Sequence, residues 1–466
     1  MRQARLVFCA VLAALVFAAR WSCAQTVAEI SERLDRIQAE IDALAAEPVE
    51  NPVVDPVANE AWDRGLWGGT LIPGLRRTTD VPFIEDVGQI PTFPNVRLTG
   101  LLQADAGYFS QDAVNTATVG SLQDVFGFRR ARLAAFGDVS PAVSYIIEMD
   151  FAGPGRPSFK DVWTELHGIP VLGNVRIGYW RMPFGMDELT SVRELTFLER
   201  SLAFAFAPFR QVGIGFADTN ATQTVTWEAA GFRFPSDFFG DFQGDRGYGF
   251  AGRLTALPVY DDNGRRGIHL GADYSYINPG SGAAEFGTPP EFEGPFVGTA
   301  GNLASVPNFI DTGAVSASHY HLLNVEAGGV LGSWYGQSEL RYAIVSESSG
   351  RTSTLPALYV QSGYFLTGEV RPYNKVAGVF GRVRPLRCFG EDGGLGAFEI
   401  AARYSYMDLN GQDFEGGRLN DLTVGLNWYL NQFTKVQLNY IRAFLNNPVH
   451  GASEASVYAM RVQADF

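Results

Sequence analysis

Apolar and polar residues alternate with a period of two through most of the chain from Asn95 to Phe466. Val96, Leu98, Leu102, Ala104, Ala106 and Tyr108 alternate with Arg97, Thr99, Gln103 and Asp105. Ala131, Leu133 and Ala135 oppose Arg130 and Arg132, and Val143 to Phe151 opposes Ser144, Glu148 and Asp150. Trp334 to Ile344, Phe398 to Tyr406 and Leu422 to Leu430 repeat the pattern. Period two is the signature of a strand whose side chains point to opposite faces. A soluble sandwich alternates as well, but its strands are shorter. Many of these runs reach ten residues, the length of a tilted strand that crosses an outer membrane. One face is apolar in mid-strand and aromatic towards the ends, and the other carries Arg, Glu, Asp, Gln and Thr. The pattern predicts an all-β, transmembrane, antiparallel β-barrel with a lipid-facing exterior and a polar lumen.

About seventeen segments read as strands, whereas single-chain bacterial barrels have an even number. Val376 to Pro385 is the weakest of them. The segment 278 to 315 is rich in Gly and Pro and is expected to face outside. The last strand alternates to a terminal Phe466. This resembles the signal by which the insertion machinery recognises outer-membrane barrels.

One stretch breaks the pattern. Two half-polar strands, ending at Arg181 and starting at Arg210, flank about twenty-five residues that contain Pro183, Pro208, arginines and four acids. A long charged insert in a compact domain is uncommon without a role. It is expected to fold into the barrel and narrow the channel. Arg193 and Arg200 are expected to share one face of a helical turn from Thr190 to Ser201.

The N-terminus reads as a targeting segment. Arg2 and Arg5 precede an apolar run from Leu6 to Ala19, and Ser22-Cys23-Ala24 places cleavage after Ala24. Residues 25–46 carry Val27, Ile30, Leu34, Ile37, Ile41 and Leu44 at alternating spacings of three and four, a heptad seam. Isoleucine in both seam positions favours three or four helices, so a short N-terminal coiled-coil helix is expected. Residues 47–94 form a Pro-rich linker and an irregular segment, and 95–466 form the barrel domain.

Net charge is −14, and cleavage after Ala24 removes three arginines, leaving 33 − 50 = −17. No basic stripe remains for nucleic acid. Only Lys160, Lys375 and Lys435 are lysines, so 33 of 36 basic residues are arginine. Arginine presents a planar fork that suits phosphate or carboxylate.

Several stretches carry a resemblance. FRRARLAAFGDVSP, DVWTELHGIPVLGNVRIGYWRMPFGMDELTS, FLERSLAFAFAP, YVQSGYFLTGE and FEIAARYSYMDLNG resemble the phosphate-selective porin O and P family. The resemblance implies sixteen strands and a homotrimeric channel in outer-membrane lipid. It also implies an inward loop and luminal arginines that guide small anions such as phosphate or polyphosphate. Transferred by local match, the anion-binding and constriction candidates are Arg130, Arg132, Arg193, Arg200 and Arg210. Arg176 joins them, since it faces inward by parity with outward Ile177. One departure stands against the resemblance: strongly phosphate-preferring members use lysines at the channel entrances. The barrel itself sums to 28 − 37 = −9.

Other chemistry is not supported. Gly247-Tyr248-Gly249-Phe250-Ala251-Gly252 runs into a strand pattern, whereas a dinucleotide site needs a helix there. His319 and His321 share a strand face but lack further ligands at metal-binding spacing. No nucleophile motif occurs. No enzyme, cofactor or metal is expected. Two other readings compete with the anion channel: a weakly selective porin for small solutes, and a structural tether acting through the coiled coil.

Overall fold

The computed structural model describes residues 93–153, 155–237, 247–296, 305–391 and 393–466. The expected signal peptide, coiled coil and nearly all of the linker lie outside the described residues. Sixteen strands carry the fold: β1 (Arg97–Gln111), β2 (Val125–Ser140), β3 (Val143–Asp150), β4 (Ser158–Ile169), β5 (Gly173–Arg181), β6 (Arg210–Thr219), β7 (Val225–Phe234), β8 (Gly247–Asp261), β9 (Arg266–Asn278), β10 (Val315–Leu331), β11 (Trp334–Glu347), β12 (Thr352–Phe365), β13 (Ala397–Asn410), β14 (Glu415–Tyr429), β15 (Thr434–Asn447) and β16 (Gly451–Asp465). The sheet counts a seventeenth strand, the two-residue ladder Ala283–Ala284 against β10.

Each strand pairs antiparallel with the next, and β16 returns to β1, with Leu101 opposite Asp465 and Gln111 opposite Ala455. Closure leaves no edge, the condition for strands in lipid. The seam is tied at its end by Phe466, whose N–H donates to Gly100 O at 3.2 Å while Gly100 N–H donates to Phe466 O at 3.0 Å. A side chain at position 100 would sit 2.4 Å from the Phe466 ring, so glycine leaves the ring its place.

The burial pattern inverts that of a soluble protein. Leu102, Phe126, Ile177, Leu254, Leu422 and Val424 are exposed on the outer face. Glu148, Arg253, Glu326, Arg341, Asp421 and Arg461 are buried in the lumen. Inside, many of the charged side chains pair with one another, as Arg461 does with Asp105 and Arg253 with Glu326, while lipid covers the apolar exterior.

Both barrel termini lie at one end. There the turns 141–142, 170–172, 220–224, 262–265, 332–333 and 430–433 are two to five residues long. The exception is the connector 366–396. It contains the segment read as a weak strand from Val376 to Pro385. In the structure that segment belongs to a small hairpin, Tyr373–Asn374 against Val379–Phe380, whose residues Val376, Ala377, Val379 and Phe380 are buried. Its aliphatic run fills the lumen rather than the wall, which accounts for the even strand number.

The segment 278–315 joins β9 to β10 at the end opposite the termini, and its described residues turn into the barrel. Within it, Gly287–Thr288 pairs with Ile310–Asp311, and Phe286, Phe292 and Phe309 are buried in the same apolar cluster as Leu198, Leu202 and Phe206 of the insert after β5. Phenylalanines spaced among the glycines give this loop an apolar face to bury, so it folds inward.

If the outer face meets lipid, Leu422→Arg in mid-β14 should destabilise the folded barrel by about 2–4 kcal/mol. Urea unfolding in lipid vesicles checks this, and an unchanged midpoint would contradict the assigned orientation.

Candidate functional site

The insert between β5 and β6 lies inside the barrel, and every residue from Met182 to Ala203 is buried. Its first turn, α1 (Met186–Leu189), packs Met186 and Leu189 against Val379, Phe380 and Tyr335. Gly185 precedes it at φ 77°, with its N–H donating to Asp273 Oδ2 at 3.1 Å. A Cβ at 185 would lie 2.1 Å from Arg341 Nη2, so only glycine combines this conformation and this approach.

From Ser191 to Ser201 the chain is irregular, which corrects the helical turn expected there. The carbonyls that a helix would use internally accept from the wall instead. Gln103 Nε2 donates to Val192 O at 3.3 Å, Gln463 Nε2 to Arg193 O at 3.1 Å and Lys435 Nζ to Leu195 O at 2.9 Å. Asn427 Nδ2 donates to Thr196 O at 2.7 Å, and Arg461 Nη1 donates to Leu198 O. Arg193 and Arg200 therefore diverge. Arg193 lies 3.7 Å from Glu148 and 3.6 Å from Asp465, with no hydrogen bond from its guanidinium. Arg200 donates to the carbonyls of Asp187, Glu188 and Thr190 at 2.6–3.1 Å, covering the C-terminal end of α1 together with Arg181.

Beside this insert is a cavity of about 280 Å³. Arg129, Arg130, Arg132, Lys160, Arg181, Arg200 and Arg210 line it, against Asp150, Glu199, Glu291 and Glu293. With all groups ionised the balance is 7 − 4 = +3, inside a barrel whose overall charge is negative. Four of the six arginines expected from sequence meet here: Arg130, Arg132, Arg200 and Arg210. Arg193 and Arg176 do not line it. Arg176 forks onto Glu165 with Nε at 2.9 Å and Nη2 at 2.7 Å, and lies 3.8 Å over the Trp163 ring.

Strict alternation missed Arg129 and Lys160. On β2 the register slips between Gln103 and Ala104 of β1, so Arg129 is an extra residue and both Arg129 and Arg130 point inward. On β4 the register slips opposite Glu148, and both Lys160 and Asp161 are buried. Such bulges re-aim side chains. The readable signal was a pair of adjacent charges, Arg129-Arg130 and Lys160-Asp161, in strands whose other face meets lipid.

Glu199 organises the cations. Its carboxylate accepts from Arg129 Nε at 2.9 Å, Arg130 Nη2 at 2.8 Å and Arg461 Nη2 at 2.7 Å. Burial raises its pKa, but the three guanidiniums pull it well below the usual carboxylate range. Arg132 donates to Asp150 at 2.9 Å and Arg210 to Asp161 at 2.9 Å. One nitrogen of each, Arg132 Nη1 and Arg210 Nη2, is buried and donates no hydrogen bond. Such donors are what an oxyanion in the chamber would meet.

Glu199→Ala should cost about 3–5 kcal/mol of barrel stability, because three buried guanidiniums lose a shared partner. It should also increase anion preference in planar bilayers. A denaturation midpoint equal to that of the wild type would contradict the role given to Glu199.

The family model described as phosphate-selective porin O and P matches residues 96–466. An uncharacterized protein of Caulobacter vibrioides is 29% identical over 323 residues, 67% of this chain and 61% of that protein. This chain thus spans less than two thirds of that relative. Porin O of Pseudomonas aeruginosa is 24% identical over 403 residues, 79% of this chain and 88% of that protein. Among solved structures, an anion-selective porin from Comamonas acidovorans is similar at 13% identity and TM-score 0.46, covering 80% of this chain and 99% of that one.

Proposed function

Since this chain belongs to the phosphate-selective porin O and P family of outer-membrane channels, we propose that it passes small anions by diffusion, with phosphate or polyphosphate among them. The observation that carries this reading is the chamber beside the β5–β6 insert, where six arginines and Lys160 stand against four carboxyl side chains. A guanidinium stays charged at any physiological pH, so the site needs no proton change to attract an oxyanion. In a narrow lumen of low effective dielectric, each such charge counts for more than at an open surface.

A second reading, the weakly selective porin, draws support from the pairing of these cations. Arg129, Arg130, Arg132 and Arg210 each already hold a carboxylate. The tether reading depends on residues 25–46, which lie outside the described residues. Under the anion reading, Arg132→Gln with Arg210→Gln should move the reversal potential in a KCl gradient towards zero while the barrel stays folded. A reversal potential equal to that of the wild type would leave the weakly selective porin as the better account.

Assembly as a homotrimer, and recognition of Phe466 by the insertion machinery, complete the proposal. Phe466 is exposed at the closing seam, where another protein could reach it. Chemical crosslinking of the intact protein in outer-membrane vesicles should give trimers, and deletion of 25–60 should leave them in place. Monomers alone from the intact protein would overturn the assembly.

A further inference from the structure

The insert between β9 and β10 places one carboxylate where a free anion would fit. Glu291 is buried, with its side chain against β13 and β14. Arg403 grips it with Nε at 2.9 Å and Nη2 at 2.7 Å. Thr423 Oγ1 donates at 2.5 Å, and Ser405 Oγ donates to the other carboxylate oxygen. An arginine fork plus two hydroxyls, all buried, is a cradle for a tetrahedral or planar oxyanion. Arg403 Nη2 also reaches Glu199 O at 3.0 Å and Arg200 O at 3.3 Å, and its guanidinium lies 4.5 Å from the Phe197 ring. The cradle is thus fixed from both sides before any ligand arrives.

Two further observations extend this. Glu291 also lines the cationic cavity, so an anion held there sits next to the residue that fills the cradle. Asp421 is fully buried beside Glu291; no side-chain donor reaches its carboxylate, which faces the backbone N–H of Glu291. A second carboxylate facing an anion site repels a fully deprotonated ligand. An oxyanion that still carries a proton can donate it as a hydrogen bond.

Resting on the anion-channel reading, we propose that Arg403, Ser405, Thr423 and Asp421 form a second subsite for a protonated oxyanion. Glu291 is its built-in occupant, displaced when such an anion passes from the chamber. The first three residues bind the charge, and Asp421 selects for the proton. At neutral pH phosphate meets both demands, whereas sulfate meets only the first. Glu291 acts there as a tethered counter-anion on a loop that its buried phenylalanines hold inside.

The test is block of chloride current by inorganic phosphate and by sulfate, in planar bilayers, for the wild type, Glu291→Ala and the shape-conserving Glu291→Gln. Slower migration of unheated than of heated protein on gels shows that each variant is folded. Removing the occupant should lower the half-blocking phosphate concentration about tenfold, with little change for sulfate. Adding Asp421→Asn to Glu291→Ala should abolish the difference between the two anions. If the wild type prefers anions but neither Glu291 variant changes phosphate block, the subsite is overturned and the channel reading stands. A wild type with no anion preference overturns both.

Discussion

Irregular backbone held inside a barrel must find hydrogen-bond partners without bulk water, and this requirement governs the lumen. The segment from Ser191 to Ser201 has no helix or ladder of its own. Its carbonyls are met by Gln103, Lys435, Asn427, Arg461 and Gln463 from the wall. Arg371, from the connector after β12, adds a bond to Glu194 O. An unpaired buried carbonyl costs free energy comparable to a lost hydrogen bond. The long polar side chains that face the lumen therefore have a structural task before any solute arrives.

That task constrains the charges. An arginine that donates to a carbonyl or carboxylate is partly satisfied and cannot act as a bare cation. Glu199 draws in Arg129, Arg130 and Arg461, and Glu326 draws in Arg253 by both arms of its fork at 2.9 and 2.8 Å. The anion-attracting surface is what remains after this internal matching. Such an excess stands beside the β5–β6 insert, where bulges on β2 and β4 add Arg129 and Lys160 to the inward row. A barrel of net negative charge can thus hold a positive chamber, because field strength depends on local arrangement more than on the total.

The three inserts also depend on one another. Met186 and Leu189 of the first pack on the hairpin of the connector 366–396, and Phe206 meets Phe286 of the β9–β10 insert edge-on at 5.3 Å. Arg253 of β8 donates to the carbonyls of Ala377 and Gly378, and His269 links Tyr373 to Glu326 at 2.6 and 2.8 Å. Loosening any one insert exposes apolar surface and unpairs polar groups on its neighbours.

The sequence by itself determined the wall. A period-two pattern with ten-residue runs leaves strands little choice, since a slip of one residue would turn charges into lipid. The insert after Arg181 was legible as a break in that pattern, and the family resemblance singled out Arg130, Arg132, Arg200 and Arg210, which line one cavity. The lumen was decided by tertiary structure. The bulge that turns Arg129 inward depends on register against β1, and alternation along one strand cannot reveal it. The divergence of Arg193 from Arg200 follows from wall donors up to 270 positions away in sequence, Gln463 to Arg193 O and Gln103 to Val192 O among them. A local helical period lost to those donors because they satisfy the same carbonyls while anchoring the insert. The connector 366–396 and the loop 279–314 carried apolar residues whose destination only the closed barrel could specify: an interior wide enough to receive them.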